Sequence, residues 1–217
     1  MKACVLASGG IDSAALLADS LRRFDSVTPL YIRQHLFWEK AELYWLKKFL
    51  KSISSRKLKP LRVLEFPMND IYGAHWSTTG KNTPGAASKD AAVYLAGRNI
   101  VMLSKAAAFA SLNNIGAIEI GVLKGNPFND SSTAFFKKMS EALSMGLDHA
   151  IHIEAPFRAL KKENIITRFV NLPLHLTFSC LKPSANRHCG KCNKCAERKK
   201  AFSKAGVPDG TLYKVGK

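Results

Sequence analysis

The most informative stretch of this chain is Ser8-Gly9-Gly10-Ile11-Asp12-Ser13. These residues follow a short apolar run and precede a segment whose apolar residues recur with helical spacing. A turn between a strand and a helix directs backbone N–H groups and the positive end of the helix dipole towards one point, which favours an anion. Two glycines let a phosphate approach the backbone without interference from a Cβ atom. The stretch therefore predicts a phosphate-binding turn.

The polar side chains of this turn strengthen that interpretation. Ser8 and Ser13 add hydroxyl donors, and Asp12 can cap the helix or help to hold Mg²⁺. The alternative is a plain glycine turn in which Asp12 or Ser13 caps the helix. The pattern is neither a Walker A loop nor the dinucleotide fingerprint, because the lysine of the first and the glycine spacing of the second are missing.

Strand-like and helix-like segments alternate outward from the turn. Amphipathic helices are predicted over 13–23, 39–53, 99–112, 132–147 and 160–170, and residues 70–90 are predicted to form a long loop. Such alternation is typical of an α/β fold, here a Rossmann-like five-stranded parallel sheet with helices on both faces. The five predicted strands cover residues 2–7, 27–32, 61–66, 117–122 and 151–155.

Length and composition set the remaining bounds. The chain has 217 residues, of which 47% are hydrophobic and 23% charged, as in ordinary globular proteins. We expect a nucleotide-binding domain over residues 1–175 and a small C-terminal segment over 176–217. No apolar run approaches the ~20 residues that span a bilayer, and the N-terminus lacks the layout of a signal peptide. A cytoplasmic protein without membrane contact is expected.

The formal net charge of +17 is large for this length. Such a charge predicts attraction to polyanions, either nucleotides or nucleic acid, and does not choose between them. A non-catalytic, zinc-containing protein that binds nucleic acid is therefore an alternative hypothesis, which the glycine turn disfavours.

Four of the five cysteines lie in one short segment, with the spacing C-x8-C-x2-C-x2-C. Four thiolates suffice for one tetrahedral zinc ion without an open position, so the site is predicted to be structural. An iron–sulfur cluster is the competing interpretation. Cys4 lies in a predicted buried strand and is interpreted as a core residue. The basic residues after the last cysteine form either a solvated helix face or a polyanion contact. The predicted ligands are Cys180, Cys189, Cys192 and Cys195.

Two motifs together carry a family resemblance. The pattern SGGxDS after the first strand is the signature of the PP-loop ATP pyrophosphatases, in which the adenine nucleotide alpha hydrolase-like fold is found. Combined with the cysteine pattern, which is followed by Arg198, it resembles the QueC family over nearly the whole chain. Smaller matching pieces are Tyr31-x-x-x-His35, Gly97-Arg98-Asn99 and Lys162-x-x-Ile165.

The resemblance implies a chemistry and a set of site residues. Members of this family convert 7-carboxy-7-deazaguanine, ammonia and ATP to 7-cyano-7-deazaguanine, with Mg²⁺ at the phosphates and AMP as a product. It implies that residues 8–13 hold the ATP phosphates, that Asp12, Arg98 and Lys162 are catalytic, and that the chain forms a homodimer. His35, Asn99 and Asp130 are expected to contact the deazaguanine substrate.

One segment departs from the family pattern. Family members carry a tyrosine-proline-aspartate-cysteine-arginine stretch after the fourth strand, where this chain has Gly125-Asn126-Pro127-Phe128-Asn129-Asp130. A second hypothesis is therefore a related ligase that joins a deazaguanine acyl group to another amine, such as a protein N-terminus or a nucleic-acid base. In this segment Asp130 either binds a guanine-like edge or caps the following helix.

Overall fold

Five parallel strands form the centre of the molecule in a computed structural model that describes residues 1–214. Their order in the sheet is β3-β2-β1-β4-β5. The first strand is therefore central, and the chain builds the sheet outward on one side of it before crossing to the other. The strands are β1 (Lys2–Leu6), β2 (Ser26–Arg33), β3 (Arg62–Glu65), β4 (Ala117–Glu119) and β5 (His152–Glu154).

Eight α-helices connect and flank these strands within residues 1–214. They are α1 (Ile11–Arg23), α2 (Glu39–Ser52), α3 (Asn69–Tyr72), α4 (Trp76–Thr79), α5 (Arg98–Leu112), α6 (Thr133–Leu147), α7 (Lys162–Arg168) and α8 (Asn193–Ala205). The predicted α/β sheet is confirmed, and each predicted strand and helix is present with shifted ends. The stretch predicted as one long loop contains the single-turn helices α3 and α4, which are too short to produce a helical period.

Helices cover both faces of the sheet. Alternate residues of β1 point to opposite sides: Val5 packs with α1, α7 and α8, while Cys4 packs with α5 and α6. Cys4 is fully buried, as expected for a core residue. Ala106 and Ala107 of α5 are also fully buried, because their small side chains let that helix approach the sheet closely.

The fourth strand ends earlier than its apolar sequence predicts. Beyond Glu119 the chain leaves the regular ladder, and Gly121 lies against the start of α1. A Cβ atom on Gly121 would be 3.1 Å from the backbone nitrogen of Ser13. The missing side chain thus brings the end of β4 beside the glycine turn.

The cysteine segment packs against α2 and the residues before it. A third apolar cluster joins Cys180, Cys192 and Cys195 to Trp38 and Trp45 around α2. The indole nitrogen of Trp45 donates a hydrogen bond to the carbonyl oxygen of Asn186 at 2.5 Å. The division of the chain at residue 175 stays a prediction. Within residues 1–214, no helix is long and apolar enough to cross a membrane.

Candidate nucleotide site and cysteine cluster

The glycine turn lies at the carboxyl end of the central strand, where neighbouring chain connections diverge to opposite sides of the sheet. In open parallel sheets, ligands bind at this position. Gly10 is the N-cap of α1, and no side chain caps the helix. The alternative in which Asp12 or Ser13 caps the helix is therefore wrong, and the N-terminal N–H groups of α1 have no capping side chain in competition with an anion.

Gly9 is required by two independent features of the turn. Its φ of +80° lies in the left-handed region, which side chains rarely tolerate. A Cβ atom there would also lie 3.3 Å from the carbonyl oxygen of Glu42 and from Cβ of Leu46. The turn consequently packs directly on α2.

The two serine hydroxyls of the turn lie together. The Oγ atoms of Ser8 and Ser13 are 3.2 Å apart, and Ser13 Oγ donates to the carbonyl oxygen of Gly10 at 3.1 Å. The Gly10 N–H is 3.4 Å from Ser8 Oγ. The hydroxyls and the Gly10 amide thus share one side of the turn. The Ile11 side chain is buried in the core, so only the backbone of this residue can face a phosphate.

A chain of alternating charges extends from Asp12. Lys162 Nζ lies 3.2 Å from Asp12 Oδ2 and 2.5 Å from Glu197 Oε1. Lys194 Nζ lies 2.8 Å from the other Glu197 oxygen. The structure thus brings together two residues predicted to be catalytic, Asp12 and Lys162, and adds two residues of α8 that the sequence interpretation missed.

The pKa shifts in this chain of charges follow from burial and pairing. Burial raises the pKa of Asp12, and the Lys162 ammonium partly offsets that rise. Burial disfavours the charged form of Lys162, but the carboxylates of Asp12 and Glu197 outweigh it and raise the pKa of Lys162. Burial also acts to raise the pKa of Glu197, yet Lys162 and Lys194 lower it to about 2. Lys162 therefore carries a positive charge, and its two carboxylate partners hold it beside the turn.

A cavity of about 190 Å³ opens next to the turn. Its walls are the carboxyl ends of β1 and β2, the chain after β4, and the first residues of α5, where Arg98 and Asn99 lie. A second cavity of about 200 Å³ adjoins Asp12 and is lined by three lysines, Lys124, Lys162 and Lys194, and by the acidic residues Asp90 and Glu197. The glycine turn thus adjoins two cavities, and the second of them is lined by both lysines and carboxylates.

The wall of the first cavity contains a buried polar network, of which the sequence interpretation missed Gln34 and Glu42. Arg98 Nε donates to Gln34 Oε1 at 3.0 Å, and the Tyr31 hydroxyl donates to Glu42 Oε2 at 2.6 Å. Burial raises the pKa of Glu42 to about 7, although Arg98 and the Tyr31 hydroxyl act in the opposite direction. Glu39 and Glu42 lie in the first turn of an amphipathic helix, where acidic residues are common because they favour the helix dipole, so the sequence did not single them out as site residues.

Two of the residues expected to contact substrate do not line this cavity. His35 lies on the surface, with φ of +60°, and its Nε2 is 3.2 Å from Glu65 Oε2. Asp130 is buried beside α5, where its carbonyl oxygen accepts a hydrogen bond from Asn99 Nδ2 at 3.0 Å. Asp130 does not cap the next helix, because the hydroxyl of Ser132 does. Asn99 is the one expected substrate contact that reaches the cavity.

The four clustered cysteines fit one metal ion. Their sulfur atoms all lie within 4.8 Å of one another, with Cys189 to Cys195 at 3.9 Å and Cys180 to Cys192 at 4.0 Å. For sulfur ligands 2.3 Å from a tetrahedral zinc ion, separations of about 3.8 Å are expected. Backbone N–H groups of residues 189 and 192 donate to cluster sulfurs at 3.2 and 3.3 Å, as ligating thiolates require. The ligand set suits a single zinc ion, whereas Cys4 lies apart in β1.

The residues around this cluster reach back to the glycine turn. The backbone N–H of Phe178 donates to the carbonyl oxygen of Gly9 at 2.7 Å. Arg198 is fully buried and donates to Thr177 Oγ1 and to the carbonyl oxygen of Leu174, each at 2.8 Å. Arg198 is therefore neither part of a solvated basic face nor a polyanion contact, because its buried guanidinium holds the segment before the cysteines. Lys199 and Lys200 are exposed.

A parallel sheet with β1 at its centre and an SGGxDS turn at the switch point defines the chain as a PP-loop nucleotide-binding protein. A crystal structure of a 4-thiouridine synthetase–RNA complex with bound ATP shares this fold, with a TM-score of 0.53 at 14% sequence identity. It matches 94% of this chain and 50% of that chain.

Sequence comparison places the chain more narrowly. The family described as "Queuosine biosynthesis protein QueC" matches residues 2–206. A 7-cyano-7-deazaguanine synthase from Nautilia profundicola is 33% identical, with 98% of each chain covered. A second protein of that name, from Leptospira interrogans, is 30% identical over 96% of this chain and 89% of its own length. The chain belongs to the QueC family.

Proposed function

We propose that this protein is an ATP-dependent carbon–nitrogen ligase that makes 7-cyano-7-deazaguanine from 7-carboxy-7-deazaguanine and ammonia in the cytoplasm. The observation that carries the proposal is the uncapped glycine turn, with Lys162 held 3.2 Å from Asp12 and a cavity beside it. The chain aligns with almost the whole length of these relatives, and their names support the same substrate.

The proposed reaction has two activations. A carboxylate oxygen attacks the α-phosphate of ATP, and the bond to the β-phosphate breaks to release pyrophosphate. Ammonia then adds to the acyl carbon, and AMP leaves with that oxygen to give an amide. In the second activation the amide oxygen attacks another ATP, again releasing pyrophosphate. Loss of AMP and the remaining nitrogen-bound protons leaves the nitrile, so one carboxylate consumes two ATP.

The protein's contribution in this scheme is charge stabilisation and positioning. Backbone N–H groups of the turn and the hydroxyls of Ser8 and Ser13 would bind the β- and γ-phosphates. Lys162 would balance charge on the leaving pyrophosphate, and Arg98 would do so at the first cavity, where Asn99 would contact the substrate. In this scheme the first cavity would hold the acyl substrate, and the second cavity would hold the pyrophosphate that leaves when the bond between the α- and β-phosphates breaks.

Two metal ions belong to the proposal. A magnesium ion would neutralise the phosphate oxygens, and Asp12 is the carboxylate of the turn that could hold it. A zinc ion at Cys180, Cys189, Cys192 and Cys195 would be structural, because four protein ligands leave no open coordination position.

Product analysis tests this function directly. Purified protein is incubated with ATP, Mg²⁺, 7-carboxy-7-deazaguanine and ammonium. The products are separated by chromatography and identified by mass spectrometry. We expect the nitrile, with two AMP formed per nitrile. Formation of ADP, or absence of nucleotide turnover, would contradict the proposal, and omission of ammonium serves as the control.

A second candidate function is acyl transfer to another amine, favoured by one observation. Residues 43–64 contain seven basic side chains and no acidic one. These side chains, which we call the basic surface, form no ion pair within residues 1–214, and all except the half-buried Lys57 are exposed. The basic surface consists of Lys47, Lys48, Lys51, Arg56, Lys57, Lys59 and Arg62.

Such a surface fits a polyanionic partner such as nucleic acid. In the same assay, AMP formation that requires added nucleic acid or a peptide amine, with the deazaguanine mass found on that acceptor, would favour the second candidate over the nitrile synthase.

A further inference from the structure

We propose that helix α8, which carries the last cysteine of the cluster, completes the phosphate site, with Glu197 as the residue that positions Lys162. The inference rests on the proposed use of ATP. It assigns to Glu197 a role that the glycine turn, the cysteine pattern and the family resemblance leave unassigned.

The geometry around Lys162 carries the inference. Lys162 is the first residue of α7, and its side chain is only 19% exposed although four rotatable bonds separate the ammonium group from the backbone. Asp12 Oδ2 and Glu197 Oε1 hold the ammonium from two sides, at 3.2 and 2.5 Å. A lysine held by one carboxylate would retain more rotamers, and ordering it would oppose nucleotide binding. The second carboxylate orders Lys162 before the phosphates arrive.

The charge balance explains why an acidic residue is tolerated beside an anion site. Asp12 and Glu197 carry two negative charges, and Lys162 and Lys194 carry two positive charges. The network is therefore neutral by itself, and the two further charged residues that line the same cavity, Lys124 and Asp90, balance each other. Glu197 thus orders the lysines without making the cavity anionic.

Helix α8 is itself held firmly against the rest of the fold, so the backbone that carries the Glu197 side chain has a fixed position. Arg198, the next residue, donates to Thr211 Oγ1 at 2.6 Å and makes the two bonds to residues 174 and 177 described above. On the same helix Ala201 and Phe202 are buried in the cluster that includes α1 and α7. One residue of α8 therefore reaches the site while its neighbours fix the helix.

A second, separate contact joins the same segment to the turn. The hydrogen bond from the Phe178 N–H to the Gly9 carbonyl fixes the backbone of the turn. The Glu197–Lys162 ion pair fixes the cation that would balance the phosphate charge. The cysteine segment thus supports both the donors and the cation of the phosphate site.

The test compares Glu197→Gln with Glu163→Gln, a neighbour of Lys162 on α7 that forms no ion pair within residues 1–214. Binding of α,β-methylene-ATP is measured by calorimetry without acyl substrate, with metal content and melting temperature as folding controls. We expect Glu197→Gln to weaken binding about tenfold and to raise KM for ATP more than it changes kcat, while Glu163→Gln binds like wild type.

A double-mutant cycle with Lys162→Met separates positioning from general electrostatics. If Glu197 acts through Lys162, adding Glu197→Gln to Lys162→Met does not weaken binding any further. Removing a negative charge without a positioning role would instead tighten nucleotide binding. Equal or tighter binding by Glu197→Gln, with wild-type binding intact, overturns the positioning role alone. A wild-type protein that does not bind the analogue overturns the proposed function as well.

Discussion

The backbone nitrogen of Phe178 lies 2.7 Å from the carbonyl oxygen of Gly9, although 169 positions separate the two residues in the sequence. This hydrogen bond orients the peptide unit between Gly9 and Gly10, whose N–H lies among the donors of the turn. The donor belongs to the chain just before Cys180. The shape of the glycine turn therefore depends on the segment around Phe178, which is far from the turn in the sequence.

Gly9→Ala is expected to abolish nucleotide binding while the protein still folds. The added Cβ meets α2 at 3.3 Å, and the left-handed φ of +80° costs a residue other than glycine about 1–3 kcal/mol. Calorimetric titration with ATP measures the loss. Gly146→Ala is the control, because Gly146 lies in the exposed part of α6 with nothing near its added Cβ. That change should leave ATP binding intact and stabilise the helix by up to about 1 kcal/mol.

Cys192→Ser is expected to lower both metal content and thermal stability. A structural metal stabilises the folded state directly, and the sulfur of Cys192 lies in the four-sulfur cluster. Elemental analysis should find one zinc per wild-type chain and clearly less in the variant. Cys4→Ala, which removes a buried thiol outside the cluster, should retain the metal. Equal zinc in wild type and Cys192→Ser would disprove the metal assignment.

Asp12→Asn is expected to reduce ATP turnover by roughly a hundredfold or more, because the turn loses its only carboxylate and Lys162 loses one partner. Release of AMP and pyrophosphate is the measurement. Asp70→Asn changes an exposed carboxylate of α3 and should have no effect on turnover. Full activity in Asp12→Asn would remove this residue from the reaction.

The buried carboxyl of Glu42 is expected to make stability depend on pH. Its pKa rises from 4.5 to about 7 on folding, so between these values the folded state binds more protons than the unfolded state. This group's contribution to stability therefore falls as pH rises through that range, by up to about 3 kcal/mol. Urea unfolding of wild type and Glu42→Gln at pH 5 and pH 8 measures the difference.

We expect Glu42→Gln to be more stable relative to wild type at pH 8 than at pH 5. Glu141→Gln, at an exposed position of α6, should show no such difference. A stability gap between wild type and Glu42→Gln that is the same at both pH values would show that Glu42 ionises normally in the folded protein.

Replacing Lys47, Lys51 and Lys59 of the basic surface by glutamine should weaken binding to a single-stranded oligonucleotide and reduce its salt dependence. Loss of three phosphate contacts lowers the slope of log affinity against log salt by roughly two. Fluorescence anisotropy at several salt concentrations gives that slope. The matched control replaces three lysines of α5 and α6, Lys105, Lys137 and Lys138. Equal losses in both triple variants would mean that net charge alone attracts the oligonucleotide.

Much of the fold could be predicted because its signals are local. The five apolar runs, the helical periods between them and the glycine turn each lie within a few residues, and together they predict the parallel sheet. The short extent of β4 could not be predicted in this way. It ends where Gly121 packs on the start of α1, a contact between segments more than a hundred residues apart.

The same distinction applies to the candidate site. Asp12 belongs to a local motif, whereas the partnership of Lys162 with Glu197 exists only after α7 and α8 have packed together. One signal was present: Glu197 is the only acidic residue between Cys180 and Pro208, in an otherwise basic stretch. For His35 the motif predicted a substrate contact, but the left-handed backbone at this residue places its ring beside Glu65 outside the cavity.

The contact between Phe178 and Gly9 also has a consequence for synthesis on the ribosome. Residue 178 is synthesised 169 residues after Gly9, and residue 197 later still. A nascent chain can complete most of its parallel sheet and still lack a finished anion site. The glycine turn thus reaches its final shape only after the cysteine segment has left the exit tunnel and docked.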